Sequence, residues 1–171
     1  FLQQLLHVLV ARGVISHDGI RWCLPSRLGE MPLPDGLTEM LAERLLGLGE
    51  TARAVLNLLA VAGRSVDLGI VEATVRTTGA ESLAEAFEAL RFRGLATAGP
   101  SGAALRHDLL REHLLLSLAA EDGRALHAAL GEAMLSLRQK GTGTTEHTAA
   151  EIGRHFQLAG LREKARPLLL E

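Results

Sequence analysis

Apolar residues at Leu2, Leu5, Leu6, Leu9 and Val10 recur at helical spacing and predict a helix over residues 1–12, with Gly13 where a left-handed C-cap residue belongs. Val14-Ile15-Ser16 and Ile20-Arg21-Trp22-Cys23-Leu24 are short β-prone runs around His17-Asp18-Gly19, and an Asp-Gly pair suits a tight hairpin turn. Pro25, Pro32 and Pro34 then interrupt regular structure. The helical period resumes at Leu37, Met40, Leu41, Leu45 and Leu48, weakened at its end by Gly47 and Gly49.

Residues 51–62 are apolar on nearly every face, the pattern of a helix buried at the centre of a domain. Asp67 is placed to cap a helix reaching about Arg76, and Gly79 breaks the chain. Either Thr78-Gly79-Ala80-Glu81 or Ser82-Leu83-Ala84-Glu85 offers a capping box for the next helix, whose stripe is Leu83, Ala86, Phe87 and Leu90 and whose end is Gly94. Leu95-Ala96-Thr97-Ala98 and Ala103-Ala104-Leu105-Arg106 flank the turn-forming Gly99-Pro100-Ser101-Gly102. Three helices followed by a two-stranded hairpin is the order of a winged helix.

A leucine-rich helix is expected from Asp108 to Leu118, and a second carries Leu126, Ala129, Leu130, Ala133, Met134 and Leu137 in register. Gly141 to Thr145 is a polar linker by composition. Thr148-Ala149-Ala150-Glu151 offers a third capping box, opening a helix with Ile152, Phe156 and Leu158. Ile152, Gly153, Phe156, Gly160, Ala165 and Leu169 fall at the large and small positions of a helix-turn-helix repeat of the tetratricopeptide type, although Ala149 stands where tryptophan is preferred. One such repeat cannot bury its own face, so an array continuing past Glu171 is expected. Phe1 opens the chain inside a helical pattern, and a piece of a longer protein is expected.

Composition narrows the field. The 171 residues are 47% hydrophobic and 3% aromatic, with 18 basic and 20 acidic side chains and a net charge of −2. So apolar a chain is globular rather than disordered. Cys23 is the single cysteine, which excludes an internal disulfide framework and a cysteine-based zinc site and fits a cytoplasmic location. No apolar run approaches the roughly 18 residues of a membrane span, so no membrane partner is expected.

Chemistry is sparse. There is no Gly-x-x-x-x-Gly-Lys-Ser/Thr loop, and neither Ser117 nor Ser136 lies in a nucleophile-elbow context. His107 and His113 are six apart and His147 and His155 eight apart, neither a helical metal-pair spacing, while His7, His17 and His127 stand alone. No catalytic residue, resident cofactor or metal site is expected. Trp22 reads as the local core of the first hairpin, with an interaction anchor as the other option.

The most informative string is Arg106-His107-Asp108-Leu109-Leu110-Arg111-Glu112, directly after the expected wing. With residues 1–14, Leu33-Pro34-Asp35-Gly36-Leu37, residues 53–63 and residues 90–95, it resembles the regulatory half of STAND-class signalling ATPases, found in large LuxR-type and related bacterial transcriptional regulators. That resemblance implies an upstream ATPase core binding ATP or ADP, a helical lid, a winged helix and a helical-repeat sensor for a protein or small-molecule effector. In the receptor branch of the class, the histidine of a similar His-Asp pair contacts the ADP β-phosphate. Carried across, it is His107, with Asp108 as the helix N-cap. Arg106 stands where those receptors usually have methionine, and the alternative is that His107 merely closes the wing while Asp108 caps the helix. An imidazole donor beside a helix N-terminus is chemically suited to an anion.

The expected fold is thus all-α with two small β-hairpins: a partial helical lid over 1–48, a winged helix over 49–107, a helical connector over 108–140, and the start of a TPR-like array over 146–171. The function it implies is a non-catalytic relay between nucleotide state and sensor, with intramolecular partners on both sides. A DNA-binding winged helix is the competing reading, and a repeat scaffold without nucleotide control is another. Against DNA, the presumptive recognition helix carries Glu81, Glu85 and Glu88 against Arg91 and Arg93, and the wing from Leu95 to Ala104 has no charge.

Overall fold

A computed structural model describes residues 16–17, 21–23, 41–75, 82–100, 102–140 and 148–171. The expected helix over 1–12, the proline-marked connector and the linker from Gly141 to Thr145 lie outside the described residues. The chain divides into two compact units, Phe1–Leu46 and Gly47–Glu171. In the first, β1 (Ser16–His17) pairs antiparallel with β2 (Trp22–Cys23), Ser16 opposite Cys23, as the Asp-Gly turn predicts. Residues 41–45 are helical, with Leu41 and Leu45 buried.

The second unit is built around α1 (Glu50–Ala62). Thr51, Ala52, Val55, Leu56 and every residue from Leu58 to Val61 are buried, so the all-round apolar pattern is indeed that of a central helix. It packs against α3 (Leu83–Phe92), α4 (Asp108–Ser117) and α5 (Ala120–Lys140). Between α1 and α3 lies α2 (Leu68–Thr74), which also leans on α5. Asp67 caps it as predicted, Oδ1 accepting from Gly69 N–H at 2.8 Å, and it stops at Thr74 because Val75 turns extended. Of the two possible capping boxes before α3, the chain uses Ser82 and Glu85. The Ser82 hydroxyl accepts from Glu85 N–H at 3.2 Å while the Glu85 carboxylate accepts from Ser82 N–H at 2.8 Å.

The second hairpin pairs β3 (Ala96–Gly99) with β4 (Gly102–Leu105) across the expected turn. It is tied to the segment between α1 and α2 by a two-way bridge, Val66 N–H to the Ala103 carbonyl at 2.8 Å and Ala103 N–H to the Val66 carbonyl at 2.7 Å. Gly102 makes this approach feasible. Its φ is +110°, and a Cβ there would collide with the Val66 carbonyl.

Beyond the hairpin, α5 packs on α6 (Ala149–Leu158), and α6 on α7 (Arg162–Leu169). Ile152, Phe156 and Ala165 are buried here, but Leu158 and Leu169, expected in the same apolar set, are 47% and 43% exposed. Lys164 of α7 pairs with Glu132 of α5. Among the described residues no helix is long and apolar enough to cross a membrane.

Two glycines carry the close contacts of this layer. A Cβ on Gly131 of α5 would sit 2.8 Å from the fully buried Phe156 ring. One on Gly153 of α6 would sit 2.8 Å from Leu169 Cγ. Alanine is the better helix former by up to ~1 kcal/mol, but overpacking a buried ring costs about 1–3 kcal/mol. Gly131→Ala is therefore expected to lower the denaturation midpoint. Gly153→Ala is expected to cost less, because half-exposed Leu169 can rotate away and only Leu168 Cβ, 3.2 Å off, must then give by a few tenths of an ångström. Urea denaturation of both variants checks the order.

Candidate functional site

Helix α1 ends with no basic residue in its last turn, so its orphan carbonyls need partners from elsewhere. Gly63, at φ +72°, supplies one by donating its N–H to the Leu59 carbonyl at 3.1 Å. Arg111 of α4 supplies another across the fold, its Nε donating to the Ala60 carbonyl at 2.9 Å. The guanidinium lies over Gly63, where a Cβ would come within 3.0 Å of it. The second arginine of the Arg106–Glu112 string thus fastens α4 to the core helix.

A groove of about 660 Å³ opens beside this junction. Its walls are the end of α1, with Gly63 and Arg64; α4, with Arg111; α5, with His127; and the start of α6, with Thr148, Glu151, Arg154 and His155. The Thr148 hydroxyl accepts from Glu151 N–H at 3.2 Å, the first half of the expected capping box. Glu151 turns its carboxylate toward Arg64 instead of completing the box, with Arg64 Nε 3.1 Å away.

His127 and His155 meet at 2.9 Å between their Nδ1 atoms, with ring centroids 5.1 Å apart and planes tilted by 42°. Such a bond needs one Nδ1 protonated and the other bare. His155 is buried and His127 half-buried. Burial, with the charge of Arg154 adding to it, holds the His127 imidazole below its ordinary pKa. The expectation that His127 stands alone is therefore corrected: the two histidines are 28 residues apart and face each other from different helices. No group of three or more metal-ligating side chains occurs among the described residues.

The sequence-predicted site residues lie at the opening of α4, outside the groove lining. His107 itself is the N-cap, extended at φ −145° and ψ 134°, its carbonyl accepting from Leu110 N–H at 3.2 Å. Asp108 is the first helical residue and exposed, so the expectation that Asp108 is the N-cap is corrected by one position. The reason is backbone conformation: the residue that leaves helical φ/ψ is the histidine. The Asp108 carboxylate favours the helix through the dipole of the first turn. Nothing local in the sequence marks Arg111, one turn further, because its carbonyl partner lies 51 residues away. Arg91 of α3 and Arg93, its C-cap residue, are both engaged within the protein, Arg91 with Glu88 at 2.9 Å and Arg93 with the Gly47 carbonyl at 3.4 Å.

An uncharacterized protein of Rhizobium meliloti (strain 1021) is 31% identical to this chain over 151 residues. The match covers 84% of this chain and 14% of that protein, so the chain spans a small part of the relative's length. No protein-family model and no solved structure matches the chain.

Two outcomes follow from this geometry. Arg111→Met, which keeps the aliphatic stem and deletes the donor to Ala60, is expected to cost about 1–3 kcal/mol in chemical denaturation. The pH dependence has a definite sign, because the folded pKa of His127 lies below the unfolded one. Both states are neutral above the ordinary value of ~6.5, and the unfolded state takes up the proton first as pH falls, so stability is lost below that point. His127→Gln is expected to flatten the fall in melting temperature between about pH 6.5 and pH 5.

Proposed function

We propose that this chain is a non-catalytic regulatory segment of a larger STAND-type ATPase signalling protein or transcriptional regulator, relaying the nucleotide state of an upstream core to a helical-repeat sensor. In this reading α1, α2, α3 and the β3–β4 hairpin form a winged helix, with Val66 as its short third strand. Helices α6 and α7 are the first hairpin of a TPR-like array. The observation that carries it is the order of parts: a helical trio closed by a hairpin that bridges back to Val66, and His107-Asp108 opening the next helix without a break. The long Rhizobium relative, of which the match is 14%, suits a multi-part parent. The exposed leucines Leu158, Leu161, Leu169 and Leu170 suit a further repeat helix stacking on α7.

Charge favours an intramolecular role over DNA reading. The two arginines ending α3 are spent on Glu88 and the Gly47 carbonyl, and the hairpin carries no charged side chain. A helix used for packing has no need of free cations, whereas one entering a major groove does.

His107 is the residue through which this segment would contact the bound ADP. The test is His107→Leu in the intact parent protein. Faster ADP release and raised basal output are expected. Unchanged ADP retention and unchanged output would remove the nucleotide role, and salt-sensitive submicromolar binding of the segment to duplex DNA would replace the relay with the DNA-binding reading.

A further inference from the structure

The groove beside Gly63 has a charge out of keeping with the chain. The protein carries a formal net charge of −2, yet three arginines, Arg64, Arg111 and Arg154, line the groove against the single carboxylate of Glu151. Glu151 is matched by Arg64 at 3.1 Å. That leaves two guanidinium groups. Arg111 commits Nε to the Ala60 carbonyl, which fixes the plane of its fork, and its terminal nitrogens make no further hydrogen bond among the described residues. Arg154 makes neither an ion pair nor a hydrogen bond among them, and it lies near enough to His127 for its charge to oppose protonation of the ring.

The terminal nitrogens of Arg111 are open donors at the groove wall, and Arg154, a second guanidinium lining the same groove, adds to its capacity for an anion. Planar forks of this kind match the paired oxygens of a phosphate or carboxylate. At about 660 Å³ the groove lies within the roughly 300–1,000 Å³ range of small-molecule sites and exceeds what a lone ion needs.

We propose that this groove is a binding site for a small oxyanion ligand, a molecule whose phosphate or carboxylate group is held between Arg111 and Arg154. The site is independent of the nucleotide contact proposed for His107, which does not line it. Its walls come from the end of α1, from α4, from α5 and from α6, so an occupant contacts residues of all four helices or their ends. His155 contacts His127 directly and the charge of Arg154 reaches it, while Arg111, Arg64 and Glu151 are the other charged groups lining the same groove.

The test is an NMR titration of the 171-residue chain with inorganic phosphate, pyrophosphate and succinate, each at constant ionic strength held by sodium chloride. Saturable shifts confined to the groove are expected with at least one probe. Response to the two phosphates alone identifies a phosphate-bearing ligand, and response to succinate alone a carboxylate-bearing one. Bound anion offsets the Arg154 charge, so the His127 ring pKa is expected to rise at saturation. Arg154→Gln, at an exposed position, is expected to weaken binding about tenfold. Arg162→Gln, exposed on α7 and away from the groove, should leave it unchanged. Shifts that stay linear with every probe, or that fall equally in the two variants, would overturn the proposal.

Discussion

The contact on which the second unit depends is the hydrogen bond from Arg111 Nε to the Ala60 carbonyl. Helix α1 is buried on almost every side, so its last carbonyls cannot all turn to water, and a buried carbonyl without a donor costs about as much as a lost hydrogen bond. Gly63 satisfies one by turning left-handed. Arg111 satisfies the next, and in doing so sets where α4 crosses α1. Because β4 ends only three residues before α4 begins, the same bond also limits where the hairpin can lie. The Val66–Ala103 bridge then fixes the hairpin from its other end. Core helix, hairpin and α4 are thereby one connected piece.

How much of this was legible in the sequence depends on how far each interaction reaches. Local signals worked where the partners are neighbours. The Asp67 cap, the Ser82–Glu85 box and the Gly99–Gly102 turn are decided within four or five residues, and the all-round apolar run of residues 51–62 within one helix. The cap of α4 lies one residue before the expected position because His107 and Asp108 adjoin, and residue type alone favours aspartate. The chain decides by which residue is extended, and the hairpin's exit makes that His107.

The groove was invisible for a different reason. Its defining contacts join Arg111 to Ala60, His127 to His155 and Arg64, just beyond α1, to Glu151, each pair drawn from separate parts of the fold. Spacing rules for a single helix look for histidines three or four residues apart, and they pass over a pair that only helix packing brings together. One signal was available: three of the four charged residues lining the groove are arginines, in a chain where acids outnumber bases. It becomes meaningful only once α4, α5 and α6 are placed side by side.

The layer formed by α5, α6 and α7 shows the same division between pattern and packing. Gly153 stands at a small-residue position of the repeat pattern, and it lets α7 approach α6. Gly131 carries no such signal, since a glycine in mid-helix reads only as a weak point. Yet Gly131 meets the Phe156 ring, the largest fully buried side chain among the described residues. The ring fills the space that a side chain at 131 would take, so α5 and α6 sit at a separation neither could choose alone. That separation also sets the 2.9 Å between His127 and His155, which lie one turn before Gly131 and one residue before Phe156. A change in the protonation of the histidine pair therefore acts against a close-packed contact rather than a compliant one. Interfaces of that kind respond by shifting between discrete packings instead of deforming gradually.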